Sequence, residues 1–270
     1  MTSVAAQASS APAATGKPKI VIDAASKIYH TRSGQTHALS NFSASIAEGE
    51  FVCVVGPSGC GKTTLLWAMS GLHPLTSGTV TLDGTPVTGS RSEIGMVFQE
   101  ANLLPWRTLM KNILFPFEIK GLDVAKYHNL IDHLITTVGL NGFENKFPRE
   151  LSGGMQQRAS LVRCLGFDPS VMLLDEPFGA LDAFTRDEMN LLLLKLWSEQ
   201  RKTIVFVTHS IVEALFMADR ILVMTPRPGR LIREFSVDLP RPRTLDMQTT
   251  PYFIQATQEL KSLIYASINM

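Results

Sequence analysis

Gly56-Pro57-Ser58-Gly59-Cys60-Gly61-Lys62-Thr63-Thr64, entered from the apolar run 51–55, decides how the rest of this chain is read. The spacing Gly-x4-Gly-Lys-Thr is that of a phosphate-binding loop, whose glycines let backbone N–H groups converge on an anion. Lys62 can reach the β- and γ-phosphates of a nucleotide, and the Thr63 hydroxyl can ligate Mg2+. A helix start follows the loop, and its positive N-terminal end adds to the attraction. An ordinary glycine-rich turn is the competing reading. It does not explain why a β-branched strand (Val52, Val54, Val55) precedes the run and an apolar helix (Leu65, Leu66, Met69) follows it.

The composition bounds what surrounds this loop. A chain of 270 residues, 45% hydrophobic, can bury a full core as one large domain or a domain with a subdomain. Net charge is +1 without a basic block or stripe, so no nucleic-acid partner and no anionic-membrane patch is expected. No apolar run reaches the ~20 residues of a spanning helix. Residues 1–18, rich in Ala and Ser, lack the pattern of a signal peptide and are expected to be a disordered tail. Cys53, Cys60 and Cys164 have neither zinc spacing nor a paired framework, which suits a reducing, cytoplasmic compartment. Because Cys60 lies inside the loop, its alkylation is expected to block nucleotide binding.

Strand patterns at 19–28, 42–46, 51–55, 79–82 and 94–98 make the first third β-rich, with Asp83-Gly84 as a hairpin turn. The period then changes to helical at 109–119 and 124–138, an inserted α-helical subdomain of about 101–165. Beyond Leu151, helices 155–165, 186–199 and 211–218 alternate with strands 171–174, 203–207 and 220–224, the signature of parallel strands joined by crossover helices. A final helix is expected at 252–264 without an assigned packing partner. The fold class is α/β: a P-loop NTPase core with an antiparallel β subdomain and the helical insert.

The buried run 171–174 ends in Asp175-Glu176. P-loop enzymes hold Mg2+ with an acid at the end of a neighbouring strand, so Asp175 is the expected metal acid and Glu176 the residue facing the attacking water. Leu151-Ser152-Gly153-Gly154-Met155-Gln156-Gln157-Arg158 sets a hydroxyl and two glycines before a helix, either a plain N-cap or a second anion site.

That string resembles the signature motif of ATP-binding cassette (ABC) ATPases, and the rest of the chain is similar to that family in order over 20–224. Gln99 stands where the family's Q-loop glutamine stands, Gly179-Ala180-Leu181-Asp182 looks like its D-loop, and His209 looks like its switch histidine. Tyr29 resembles the aromatic that stacks on adenine. The resemblance implies a cassette over 19–240 with an extension at 241–270, ATP and Mg2+ as ligands, and Thr63, Gln99 and Asp175 around the metal. It also implies a homodimer in which Ser152, Gly153, Gly154 and Asp182 of one copy face the ATP held by Lys62 of the other. Segments 98–106 and 224–230 look like the ATPases of nitrate, sulfonate and taurine importers. The run Arg163-Cys164-Leu165-Gly166 departs from the more usual Arg-Ala-Leu-Ala.

The implied function is the energising ATPase of an importer of a small solute, such as sulfonate, taurine or nitrate. It would lie on the cytoplasmic face of the membrane, with separate permease subunits docking near 99–106 and an external solute-binding protein acting indirectly. A soluble ABC ATPase acting on nucleic acid or ribosomes is the alternative, and it would carry coiled-coil insertions or two cassettes. A P-loop GTPase would need an Asn-Lys-x-Asp motif, which the sequence lacks.

Overall fold

Phe51–Val55 (β3) is buried along its whole length, as a strand covered on both faces must be. The computed structural model describes residues 16–31 and 34–268. Here β3 lies inside a six-stranded sheet with Ile94–Val97 (β6), Val171–Asp175 (β7), Thr203–Val207 (β8), Arg220–Met224 (β9) and Leu231–Ser236 (β10), in the order β10-β9-β3-β8-β7-β6. All neighbours pair in parallel except β10, which runs antiparallel to β9. The crossovers are the helices Lys62–Ser70 (α1), Gly153–Leu165 (α5), Ala183–Gln200 (α6) and Ile211–Met217 (α7).

Because side chains alternate along a strand, this sheet feeds two cores. Val52 and Val54 face α1 and the antiparallel strands, together with Val171, Leu173, Val205 and Val207. Phe51, Cys53 and Val55 face the opposite way, against residues of α5, α6 and α7. The antiparallel sheet has the order β2-β1-β4-β5, built from Pro18–Thr31 (β1), Gly34–Ala47 (β2), Ser77–Leu82 (β4) and Thr85–Pro86 (β5). Asp83 and Gly84 both take positive φ, 50° and 77°, as a two-residue hairpin requires. Most of the tail expected over 1–18 lies outside the described residues.

Two local expectations need correction, and one strand was not anticipated. The helix expected at 109–119 is two, Leu109–Ile113 (α2) and Phe115–Lys120 (α3), with Pro116 in the first turn of the second. Proline has no N–H to continue the ladder, so the chain restarts there. The segment 124–138 opens as a 3-10 turn, Val124–Tyr127, and becomes α-helical only over His128–Thr137 (α4). Strand β10 gave no sequence signal, since Phe235 is its one buried residue. It is held by Arg220, 5% exposed, whose guanidinium bridges Glu50 before β3 and Glu234 on β10 at 2.7 and 2.6 Å. The last helix, Pro251–Ile268 (α8), packs through buried Phe253, Ala256 and Leu260 into the core shared with α7.

Candidate functional site

Between β3 and α1 the loop turns through left-handed backbone at Gly59 and Gly61, with φ of 72° and 105°. A Cβ on Gly61 would lie 2.7 Å from the carbonyl oxygen of Ala38, so no larger residue fits against β2. Gly61 also stands at the N-cap of α1 and offers no side chain to it, and the first turn carries no acid. The first N–H groups of the helix are left for an external anion. The ammonium of Lys62 crosses the loop and donates to the carbonyls of Gly56 and Pro57 at 3.0 and 3.2 Å.

Ser58, Gly59, Lys62, Thr63 and Thr64 line one wall of a cavity of about 310 Å3, and Glu176 closes another. Tyr29, on β1, reaches the same cavity, with its hydroxyl 3.4 Å from Thr64 Oγ1. The Thr63 hydroxyl donates to Asp175 Oδ1 at 3.1 Å, bringing two hard oxygen donors together where a small divalent cation would suit them. Burial pushes the Asp175 carboxyl above the ordinary carboxylate range, and the Thr63 hydrogen bond offsets part of that rise.

Directly after Asp175 the chain passes through φ 45° at Glu176, an uncommon conformation for a residue with a side chain. The Glu176 amide donates to Val207 O at 2.9 Å, and its Oε2 lies 2.9 Å from His209 Nδ1. The chain on either side of His209 is tied down: the Thr208 hydroxyl donates to buried Glu213, and the Ser210 amide donates to Thr208 Oγ1. Burial raises the Glu213 carboxyl.

Gln99 lies elsewhere. It lines a groove with Ala101, Gly153 and Leu181, and only its amide approaches the carboxylate side of the site. Gln99 Nε2 and Glu176 Oε2 are 3.5 and 3.7 Å from where a Gly179 Cβ would stand. Helix α5 secures this segment: Gln157 Nε2 donates to Phe98 O, and Arg163 donates to the carbonyls of Ala101 and Asn102. Arg163, the residue this stretch shares with the more usual Arg-Ala-Leu-Ala, therefore holds the loop that Gln99 begins.

Ser152, Gly153, Gly154 and Asp182 share a third cavity, about 450 Å3, which has no lining residue in common with the first. Within the chain both polar residues are caps: Ser152 Oγ accepts from Met155 N, and Asp182 accepts from Thr185 N and Oγ1. Gly154 lets α5 approach α6, since a Cβ there would meet Thr185 Cγ2 at 3.2 Å.

Two features differ from the sequence reading. The Cys60 side chain does not enter the cavity. It is fully buried beside Met224, and burial raises its thiol pKa, so it is neither accessible nor ionised enough to be the alkylation site expected. Conversely, Thr36, which no motif marks, lines the phosphate-loop cavity, and so does Arg227, whose segment 224–230 was not assigned to the site. Arg227 arrives on a turn closed by Thr225, whose hydroxyl donates to Pro228 O and accepts from Arg230 N. That turn is seated on the loop at Gly229, where a Cβ would fall 2.2 Å from Cys60 O.

A phosphate loop on one face and a Ser-Gly-Gly helix start in a separate cavity of the same chain are the arrangement of an ATP-binding cassette. The chain belongs to the ABC transporter family, whose model matches residues 39–179. Chains of this family bind ATP and hydrolyse it in coupling to transport, and this chain is such an ATPase. It is 44% identical to the taurine import ATP-binding protein TauB of Jannaschia sp. over 86% of this chain and 88% of the relative. It is 43% identical to an uncharacterized ABC transporter ATP-binding protein of Methanocaldococcus jannaschii over 92% of each. The dimeric ATP-binding cassette MJ0796, solved in a post-hydrolysis state with ADP and Pi, is 32% identical. Its TM-score is 0.71, covering 82% of this chain and 100% of that one.

Proposed function

We propose that this chain is the ATP-hydrolysing subunit of an ABC importer, working in pairs at the cytoplasmic face of the membrane. It drives uptake of a small anion such as a sulfonate, taurine or nitrate through separate permease subunits, supplied by an external solute-binding protein. The cassette spans 19–240, with a helical subdomain near 101–165 and an extension at 241–270. Relatives named as taurine import ATP-binding proteins support the importer reading. Among the described residues no helix is long and apolar enough to cross a membrane, which agrees with a separate permease.

The observation that carries the reading is the separation of the Lys62 cavity from the Ser152–Gly154 cavity within one chain. ATP held by Gly56 to Thr64 of one copy, with Tyr29 against its base, is covered by Ser152, Gly153, Gly154 and Asp182 of a second. Thr63 and Asp175, together with Gln99, would hold Mg2+, which when bound would neutralise charge on the phosphate oxygens. Glu176 accepts the proton of the attacking water, and His209, 2.9 Å away, orients that carboxylate.

The test is purification with the co-expressed permease, reconstitution in vesicles, and ATPase measurement with the solute-binding protein and taurine, an alkanesulfonate or nitrate in turn. Stimulation by one of these supports the reading. Hydrolysis indifferent to all three overturns the assigned solute class.

A further inference from the structure

The C-terminal end of α6 and the segment leading to α8 enclose a cavity of about 500 Å3 that shares no residue with the nucleotide cavity. One part of its wall is apolar, with Leu191, Leu194, Trp197 and Pro242. The other is basic, with Lys195, Arg201, Arg241 and Arg243, and no carboxylate lines it.

Two of the four cations stack on a single ring. Arg201 and Arg241 lie over Trp197, with Cζ 4.5 and 4.1 Å from its centroid. Arg241 is paired with Asp219 and donates to Met217 O. Lys195, Arg201 and Arg243 have no ion-pair partner among the described residues. Arg243 is 6% exposed. Its Nη2 donates to Ala218 O, while its buried Nε and Nη1 have no hydrogen-bond partner. Burial, then the charge of Arg241, pulls its pKa down to about 10. The nearby Asp219 carboxylate, already paired with Arg241, offsets only part of the cost of a guanidinium so enclosed, which forms no ion pair of its own.

We propose that this cavity binds an amphiphilic organic anion, a sulfonate or carboxylate carried on a short apolar body. The head group meets the Lys195, Arg201 and Arg243 charges, and the body lies on Leu191, Leu194 and Trp197. The volume is within the range of small-molecule sites, and planar guanidinium groups suit a two-oxygen or three-oxygen head. Inorganic sulfate satisfies the charges but leaves the apolar wall wet; a neutral alkyl chain does the reverse.

The experiment is calorimetric titration of the full chain with sodium 1-hexanesulfonate, sodium sulfate and 1-hexanol. Hexanesulfonate is expected to saturate one site per chain, with each of the other two at least about tenfold weaker. Arg201→Glu and Lys195→Glu change exposed residues, and circular dichroism checks their fold. Each should weaken hexanesulfonate about tenfold while ATP affinity is unchanged. Hexanol binding as tightly as hexanesulfonate, variants that bind hexanesulfonate unaltered, or no saturable binding at millimolar concentration would each overturn the proposal.

Discussion

Asp175 and Glu176 are adjacent carboxylates in different surroundings. Asp175 is desolvated and bonded to Thr63, whereas Glu176 is swung out by its left-handed φ to His209. Glu176→Gln should lower turnover by about 10²–10⁴ while ATP binding persists, measured by single-turnover hydrolysis and equilibrium binding. Asp175 bears on stability as well. A carboxyl raised on folding costs stability above its folded pKa, where it is charged, and the cost fades as pH falls through that value. Asp175→Asn is therefore expected to raise the melting temperature of nucleotide-free protein at pH 7 by up to about 2 °C. The same substitution should remove Mg2+-dependent stabilisation by ATP. A lowered melting temperature without nucleotide would contradict the cost assigned to this charge. These residues were legible because a phosphate loop needs glycine and lysine at fixed spacing, and a metal acid needs the end of a strand. Thr36 was not, since it reaches the cavity as the cross-strand neighbour of Tyr29, and neither was the place of Arg227, whose turn is seated where Gly229 abuts Cys60 O; no local pattern announces either contact.

The helical insert shows how far a period carries. Its apolar spacing located it, but Pro116 divides what the spacing joined, and only backbone chemistry reveals the division. Strand β10 escaped for another reason: beyond its ladder to β9 only Phe235 is buried, and a buried ion cluster around Arg220, with partners distant in sequence, helps to hold it. Trp106, in the segment expected to dock the permease, is 71% exposed and so anchors little within the chain, which suits the proposed docking surface. Trp106→Ala is expected to leave ATP affinity within about twofold and the melting temperature unchanged, while solute-stimulated ATPase in the reconstituted complex falls at least about fivefold. Unaltered stimulation would exclude this surface from docking.

Seen whole, the molecule offers two half-sites with no shared lining, and pairing is the property that tests their relation. Gly153 is suited to this because a Cβ there meets nothing within 4 Å, so substitution spares the single chain. In a Glu176→Gln background, ATP should drive dimerisation by size-exclusion light scattering. Adding Gly153→Glu should abolish the dimer yet keep ATP affinity within about threefold, since like charges then face across the closed interface. A dimer that survives would show that this cavity does not face the partner's ATP. The sequence suggested the pairing only through the Ser152 motif, because one chain folds that motif as an ordinary helix cap.

The three thiols also set how the ATPase meets oxidants. Cys53, Cys60 and Cys164 are all buried, and burial raises each thiol pKa, Cys164 to about 12. Oxidation proceeds through the exposed thiolate, a form none of them presents. A cysteine within a nucleotide loop would ordinarily tie energy supply to redox state; here the loop is insulated. Millimolar hydrogen peroxide should leave ATP turnover intact in the folded protein, checked by ATPase assay before and after treatment.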